Sequence, residues 1–180
     1  MKAYIYRRYG GPEVLELAEV PKPAPRDNEV LIKIHATTVT AGDWRARTLT
    51  VPKGYGFLAR PVFGLLRPRQ PILGSELAGV IEAVGKHVTQ YKPGDAVFAF
   101  TGFKRGCNAQ YAVVAEDGPV ALKPANLSFE EAASLGFGGS TALDFLGRAK
   151  IKRGDNVLVI GASGCVGTAL VQLENTSVPR

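Results

Sequence analysis

Asn156-Val157-Leu158-Val159-Ile160-Gly161-Ala162-Ser163-Gly164-Cys165-Val166-Gly167 is the stretch on which the fold of this chain turns. Val157 to Ile160 are four consecutive apolar residues, the pattern of a strand buried on both faces in a parallel sheet. A glycine-rich turn follows at once, and Thr168 to Leu173 opens a helix. The pattern G-x-G-x-x-G lies on Ala162 to Gly167, with alanine at its first glycine. Gly161-Ala162 can make the tight turn, Gly164 leaves room where a diphosphate approaches, and Gly167 lets helix close on strand. Backbone N–H groups of Ala162, Ser163, Gly164, Cys165, Val166 and Gly167, at the positive end of the helix dipole, would then hold the anion. The strand before and the helix after set this loop apart from an isolated glycine turn. It is read as a dinucleotide-binding turn rather than only a tight structural one. Cys165 admits two readings: a thiol made redox-sensitive by the helix N-terminus, or a residue used only through its N–H, and the second is taken. The acid that contacts a ribose falls about 20 residues past such a loop, beyond Arg180.

Upstream, Lys152-Arg153-Gly154-Asp155 reads as a turn and Ser140 to Lys150 as a helix with a basic last turn. Ser128-Phe129-Glu130-Glu131 is a capping box, in which the serine oxygen and Glu131 satisfy helix-start amides reciprocally. A boundary near residues 123–128 divides the chain into 1–125 and 126–180. The first part is β-rich by alternation. Strands are expected at Lys2–Arg7, Val14–Val20, Val30–Ala36, Leu77–Val84, Asp95–Phe100, Ala109–Ala115 and Val120–Leu122. Val30, Ile32, Ile34 and Ala36 share one face, with Lys33 and His35 on the other. Lys92-Pro93-Gly94-Asp95 suits a type II turn. Short strands with this punctuation suggest a small barrel or sandwich. Leu49 to Pro71 fits nothing regular, and its aromatic and aliphatic residues either cover a site or pack as a surface loop or short irregular helix.

Composition narrows the function classes. With 46% hydrophobic and 21% charged residues the chain can build a globular core. No apolar run reaches the roughly 18–20 residues of a membrane span, and Met1-Lys2-Ala3-Tyr4-Ile5-Tyr6 lacks the features of a secretory leader. Cys107 and Cys165 have neither metal nor disulfide spacing, which suits a reducing, cytoplasmic setting. The net charge of +6 is spread along the chain. Its densest group, Arg45, Arg47, Arg60, Arg67 and Arg69, is broken by Pro52, Pro61, Pro68 and three glycines, so neither nucleic acid nor membrane is the expected partner.

Taken in order, Met1 to Tyr6, Gly11-Pro12-Glu13-Val14-Leu15, Pro71-Ile72-Leu73-Gly74-Ser75-Glu76-Leu77-Ala78-Gly79-Val80-Ile81, Val84-Gly85, Tyr91 to Val97 and Gly161 to Gly167 resemble the medium-chain dehydrogenase/reductase superfamily, specifically its zinc-independent, quinone-oxidoreductase-like branch. The resemblance implies a mixed β and α/β fold: a GroES-like, partly open β-barrel followed by the first βα unit of a Rossmann fold, with catalysis in a cleft between the two. Zinc relatives carry a cysteine near Ala41-Gly42, a Gly-His-Glu where Gly74-Ser75-Glu76 stands, and a later cysteine near Phe137. A catalytic zinc needs three protein ligands, and these positions supply none. The four-cysteine lobe is also missing, with only Cys107 in that region, and His35 and His87 are expected at the surface.

The resemblance places Thr40, Asp43 and Trp44 in a cleft-lining stretch, where Thr40 and Asp43 could orient cofactor or substrate and Trp44 pack on either. The alternative is an N-cap at Asp43 and a buried aromatic. Glu76 is read as a buried, hydrogen-bonded remnant, and Thr141 as a residue beside the cofactor or a helix cap. NADPH is the expected cofactor, with NADH left open and no zinc. The implied reaction is hydride transfer to a carbonyl, enone or quinone. Where relatives continue their helix, this chain runs Glu174-Asn175-Thr176-Ser177-Val178-Pro179-Arg180, so most of the cofactor domain is expected to be missing. Strand 156–160 should then be left exposed, with association as a homodimer or through that strand. The rival expectation is a non-catalytic remnant or a partner-binding β-barrel module.

Overall fold

Antiparallel pairing organises the N-terminal part of the molecule. The computed structural model describes residues 1–50, 61, 63–152 and 154–177. Tyr55, Phe57, Leu58 and Val62 of the irregular loop, Arg153, and the terminal Val178-Pro179-Arg180 lie outside them. Internal packing separates Met1–Ala133 from the residues beginning at Ser134.

In the first unit, β1 (Lys2–Tyr6) and β2 (Leu15–Glu19) form a hairpin in register from Lys2 opposite Glu19 to Tyr6 opposite Leu15. β3 (Glu29–Thr37), β4 (Glu76–Val84), β5 (Ala96–Phe100), β6 (Tyr111–Ala115) and β7 (Val120–Leu122) form a second sheet in the order β6-β3-β4-β5-β7. Every pairing is antiparallel. The sheet ends on β6 and β7 without joining them, which makes the barrel a partly open one. All seven strands fall within about two residues of their expected bounds, as edge placement allows. The period-two reading of β3 holds at Val30 and Ile32, which are fully buried. Register shifts at Leu31/Ile32 and Ile34/Ala36 break the alternation, so that Leu31 is buried as well.

The main core is Val30, Ile32, Leu77, Ile81, Val97, Ala99, Cys107, Ala112 and Val114. Burying each large aliphatic contributes about 1.5–3 kcal/mol against leaving it in water. Gly79 sits at the centre of β4, where a Cβ would lie 2.1 Å from the Lys33 carbonyl oxygen, so no side chain fits between β3 and β4. The turn at Lys92-Pro93-Gly94-Asp95 forms as expected, with Gly94 at φ +94 and the Asp95 amide donating to the Lys92 carbonyl at 3.2 Å. A second cluster of Tyr6, Val14, Ala46 and Leu73 joins the hairpin to helix α1 (Ala41–Thr48). Phe63 packs on this cluster and Tyr9 donates to the Gly64 carbonyl at 2.8 Å, while Leu65 and Leu66 are exposed. Among the described residues of the irregular segment, Pro61 and Phe63 are helical and 64–71 run as a surface loop, pinned through Phe63 and Gly64. Helix α2 (Phe129–Ala133) carries the expected capping box: Glu131 N–H donates to Ser128 Oγ at 3.1 Å and Ser128 N–H to Glu131 Oε2 at 2.8 Å. It places Ala132 and Ala133 against Ala78.

In the second unit, α3 (Leu135–Ala149) packs on α4 (Cys165–Ser177). α3 begins five residues before the expected Ser140. Gly136 and Gly138 are buried there, and close packing outweighs glycine's helix penalty of roughly 1 kcal/mol each. A Cβ on Gly138 would stand 2.9 Å from the Cys165 carbonyl oxygen.

The expected strand at Asn156–Ile160 requires correction. It has no ladder partner among the described residues, and Leu158 and Ile160 are 86% and 90% exposed rather than buried. Strand structure is a property of pairs; without a parallel neighbour the apolar run stays unpaired and open. Among the described residues no helix is long and apolar enough to cross a membrane.

Candidate functional site

The glycine turn is built as its chemistry requires. Gly161 adopts φ +78, a left-handed conformation that favours glycine. The Gly164 amide donates to the Gly161 carbonyl at 3.0 Å and closes the turn. The Thr168 amide, donating to the Gly164 carbonyl at 2.8 Å, is the first helical hydrogen bond of α4. The amides of Cys165, Val166 and Gly167 therefore form the unpaired first turn of the helix and donate to no acceptor among the described residues. Thr168 Oγ1 donates to the Ala162 carbonyl at 3.2 Å and ties the loop to the helix.

The two fingerprint glycines answer to different constraints. A Cβ on Gly167 would lie 2.2 Å from the Gly161 carbonyl oxygen and 2.6 Å from Ala162 Cα, so the turn can close only over glycine. A Cβ on Gly164 would come no nearer than 3.4 Å to any neighbour. Packing within the chain does not forbid a side chain there, and the space above Gly164 faces solvent. Ala162, Ser163 and the Cys165 side chain are exposed beside it. Thr141 lies inside α3, not at a helix start, so it is not a cap. It stands three residues after Gly138, on the α3 face that meets Cys165.

Thr40 and Asp43 form a closed cluster at the start of α1. The cap is Thr40, not Asp43, which occupies the third helical position. Asp43 Oδ2 accepts from the Thr40 amide at 2.8 Å and the Thr40 hydroxyl at 2.9 Å; Thr40 Oγ1 accepts from the Asp43 amide at 3.3 Å. Asp43 Oδ1 accepts from the Gly74 amide at 2.9 Å, clamping α1 to the segment that leads into β4. The carboxylate is 3% exposed. The Trp44 amide donates to the Thr40 carbonyl at 3.2 Å, but its ring stands outside the hydrogen-bonded cluster: Trp44 is 49% exposed and lines a groove of about 620 Å³ with Asp43, Tyr4, Leu15, Leu17, Val39 and Leu73.

Three residues that sequence reasoning passed over surround this cluster. Thr38 donates from Oγ1 to Glu76 Oε2 at 2.6 Å, and Thr37 Oγ1 to the Glu76 carbonyl at 2.7 Å, so Glu76 is a buried, hydrogen-bonded carboxylate as expected. Asn108 fills the space beside Gly74, where φ is +84 and a Cβ would meet Asn108 Oδ1 at 2.3 Å. The adjacent threonines before a capped helix were the only signal for the first two, and nothing local pointed to Asn108. Among the described residues no three His, Cys, Asp or Glu side chains are grouped to hold a metal ion. His35 and His87 are exposed, His35 stacked on Phe129 at 4.4 Å.

The two cysteines differ sharply. Both are free; Cys165 is exposed, whereas burial pushes the Cys107 thiol up to about 12. Iodoacetamide at neutral pH should modify one cysteine per folded chain, Cys165, and both after denaturation, because only the thiolate reacts. Peptide mass spectrometry checks this, and native modification of Cys107 would contradict its burial.

Residues 26–125 match the alcohol dehydrogenase GroES-like domain. The chain is 40% identical over 175 residues to a quinone oxidoreductase of Sus scrofa, covering 96% of this chain and 49% of that protein. Among solved structures, it superposes on the quinone oxidoreductase of Coxiella burnetii with a TM-score of 0.83 at 34% identity, covering 99% of this chain and 54% of that one. A mycobacterial structure in complex with NADPH gives a TM-score of 0.78 at 31% identity, covering 99% and 51%. The chain spans about half the length of the curated relatives it matches.

Proposed function

This chain belongs to the alcohol dehydrogenase GroES-like domain family, in the quinone-oxidoreductase-like branch of the medium-chain dehydrogenase/reductase superfamily, and from that premise we propose that it is an NADPH-binding oxidoreductase unit acting on a quinone, enone or other carbonyl without zinc. One observation carries the proposal: the three unpaired amides of Cys165, Val166 and Gly167 above a turn that only Gly161 and Gly167 allow. That cradle fits a diphosphate. Cys165, Val166 and Gly167 hold it through their unpaired backbone N–H groups, Ala162 and Ser163 flank it, and Thr141 borders it from α3. The Gly164 N–H, expected among the donors, is instead engaged by the Gly161 carbonyl, and Gly164 serves by leaving room for the anion. Bound there, NADPH supplies a hydride. In the first unit, Thr40 and Asp43 keep α1 seated on Gly74, and Trp44 offers an exposed ring for packing. The zinc-free assignment is supported by Ser75 and Phe137, which stand where zinc relatives place ligands. A cytoplasmic setting is supported by the two unpaired thiols.

Titrating NADPH fluorescence against the purified chain tests the reading. Saturable binding, tighter than for NADH and accompanied by reduction of a quinone or enone in metal-free buffer, is the expected result. An ordered protein that neither binds nor reduces would sink it. A second reading has its own observation: exposed Leu158 and Ile160 favour a non-catalytic module that associates through this run. Its mark would be a concentration-dependent mass with no nucleotide affinity.

A further inference from the structure

Arg105 stands in a backbone conformation that nothing in its own loop requires of an arginine. Among the described residues, three non-glycine positions have positive φ. Leu49 and Lys150 are helix C-caps in the left-handed well, at φ 54, ψ 31 and φ 51, ψ 41. Arg105 is at φ 52, ψ −152, outside that well, where a Cβ crowds the backbone and glycine is the residue expected. Its neighbours Gly102 and Gly106 take φ +56 and +96 as glycines do. A glycine at 105 would carry no such strain. The arginine side chain must therefore return what the backbone loses.

The return is a stack. The Arg105 guanidinium carbon lies 4.9 Å from the centre of the Phe63 ring, a favourable cation–π arrangement. The same guanidinium lies beside the buried Tyr6 phenol and pulls back part of the upward pKa shift that burial gives it. Phe63 in turn packs on the cluster of Tyr6, Val14, Ala46 and Leu73. Ala46, fully buried, belongs to α1. Leu73 immediately precedes Gly74, whose amide donates to Asp43 Oδ1 at 2.9 Å. Past Phe63 the chain turns at Gly64, φ +123, and the Arg69 amide comes back to the Phe63 carbonyl at 2.9 Å. Two residues later the Pro71 carbonyl accepts from the Tyr6 amide at 2.9 Å. We propose that Arg105 is a positioning residue for α1: it holds Phe63 on the cluster beneath Ala46, and through that cluster keeps Thr40, Asp43 and Trp44 in place. That this seat serves hydride transfer rests on the oxidoreductase reading; that Arg105 sets it does not.

Substitutions at this position in the full 180-residue chain separate backbone from side chain. Arg105→Gly relieves the backbone and deletes the stack, two effects of opposite sign, so the melting temperature should stay close to that of the unaltered protein. Amide hydrogen exchange at Tyr6, Arg69 and Gly74 should nevertheless quicken by at least about tenfold, with the β3–β6 ladder unchanged. The emission of Trp44, the sole tryptophan, should shift to the red and lose anisotropy. Arg105→Lys keeps a cation for the ring and should restore most of the slow exchange and the original emission. Arg105→Ala keeps the strain without the stack and should lower the melting temperature as well. Phe63→Leu should reproduce the exchange pattern of Arg105→Gly, and combining the two should add little, since both remove one contact. It also stands in for Arg105→Gly should that variant fail to fold. Unchanged exchange and emission in Arg105→Gly would overturn the proposal, as would an Arg105→Lys variant no better than Arg105→Gly. A uniform rise in exchange across the first unit would overturn it too, by marking a general loss of stability instead of a loosened α1. No nucleotide enters these measurements, so failure of the oxidoreductase reading leaves their outcome unaffected.

Discussion

Gly167→Val should abolish NADPH binding. The substituted Cβ would stand 2.2 Å from the Gly161 carbonyl oxygen and 2.6 Å from Ala162 Cα, both backbone atoms that cannot swing aside. The turn must open, and the amides of Cys165 and Val166 then no longer converge. Each hydrogen bond to a charged group is worth about 1.5–3 kcal/mol, so losing even one or two weakens binding by at least about 10–100-fold. Gly164→Ala separates recognition from folding. Its Cβ comes no nearer than 3.4 Å to the protein, so the melting temperature should hold while the approaching diphosphate is obstructed. Fluorescence titration beside thermal unfolding checks both variants. Unaltered NADPH affinity in Gly164→Ala would remove the turn from the binding site.

Asp43→Ala should be the most destabilising single change at the start of α1. It strands the buried Gly74 amide, removes the reciprocal partner of the Thr40 cap, and takes away three accepted hydrogen bonds at 2.8, 2.9 and 2.9 Å. A lost cap costs about 1 kcal/mol and an orphaned buried amide about 1–3 kcal/mol. A total near 3 kcal/mol is expected at the first unit. Asp43→Asn should cost roughly half as much, because its carbonyl oxygen can still accept from Gly74 while its amide nitrogen cannot accept from Thr40. Urea unfolding followed by Trp44, the chain's sole tryptophan, reads the effect from the adjacent residue. If Asp43→Asn instead leaves stability untouched and abolishes turnover, the carboxylate is catalytic rather than a clamp.

Much of the architecture could be read from local pattern. Alternation located β3 and β4, Pro93-Gly94 marked the turn before β5, and Ser128 with Glu131 marked the start of α2. Each signal lies within a few residues of the feature it determines. Asn156–Ile160 shows the limit of such reasoning: an apolar run has strand propensity, but pairing depends on a distant partner. α3 extended past the expected start because Gly136 is buried and Gly138 is held against Cys165 of another helix, which no local scale registers. The same holds at the candidate site. Glycine spacing located the turn at 161–167, because the motif is contiguous. The clamp from Asp43 to Gly74, the Thr38–Glu76 hydrogen bond and the Asn108 wedge each join residues more than 30 apart, and only the folded chain brings them together.

The unpaired run at 156–160 also bears on where a protease first cuts the chain. Proteases cut most readily where exposed backbone is free of ladder hydrogen bonds, without waiting for a domain to unfold. Val157, Leu158 and Ile160 offer such a segment in the native state, next to the turn assigned to the nucleotide. Limited proteolysis of the purified chain is therefore expected to cut first within 156–160 and to leave the β-rich unit as the trimmed product.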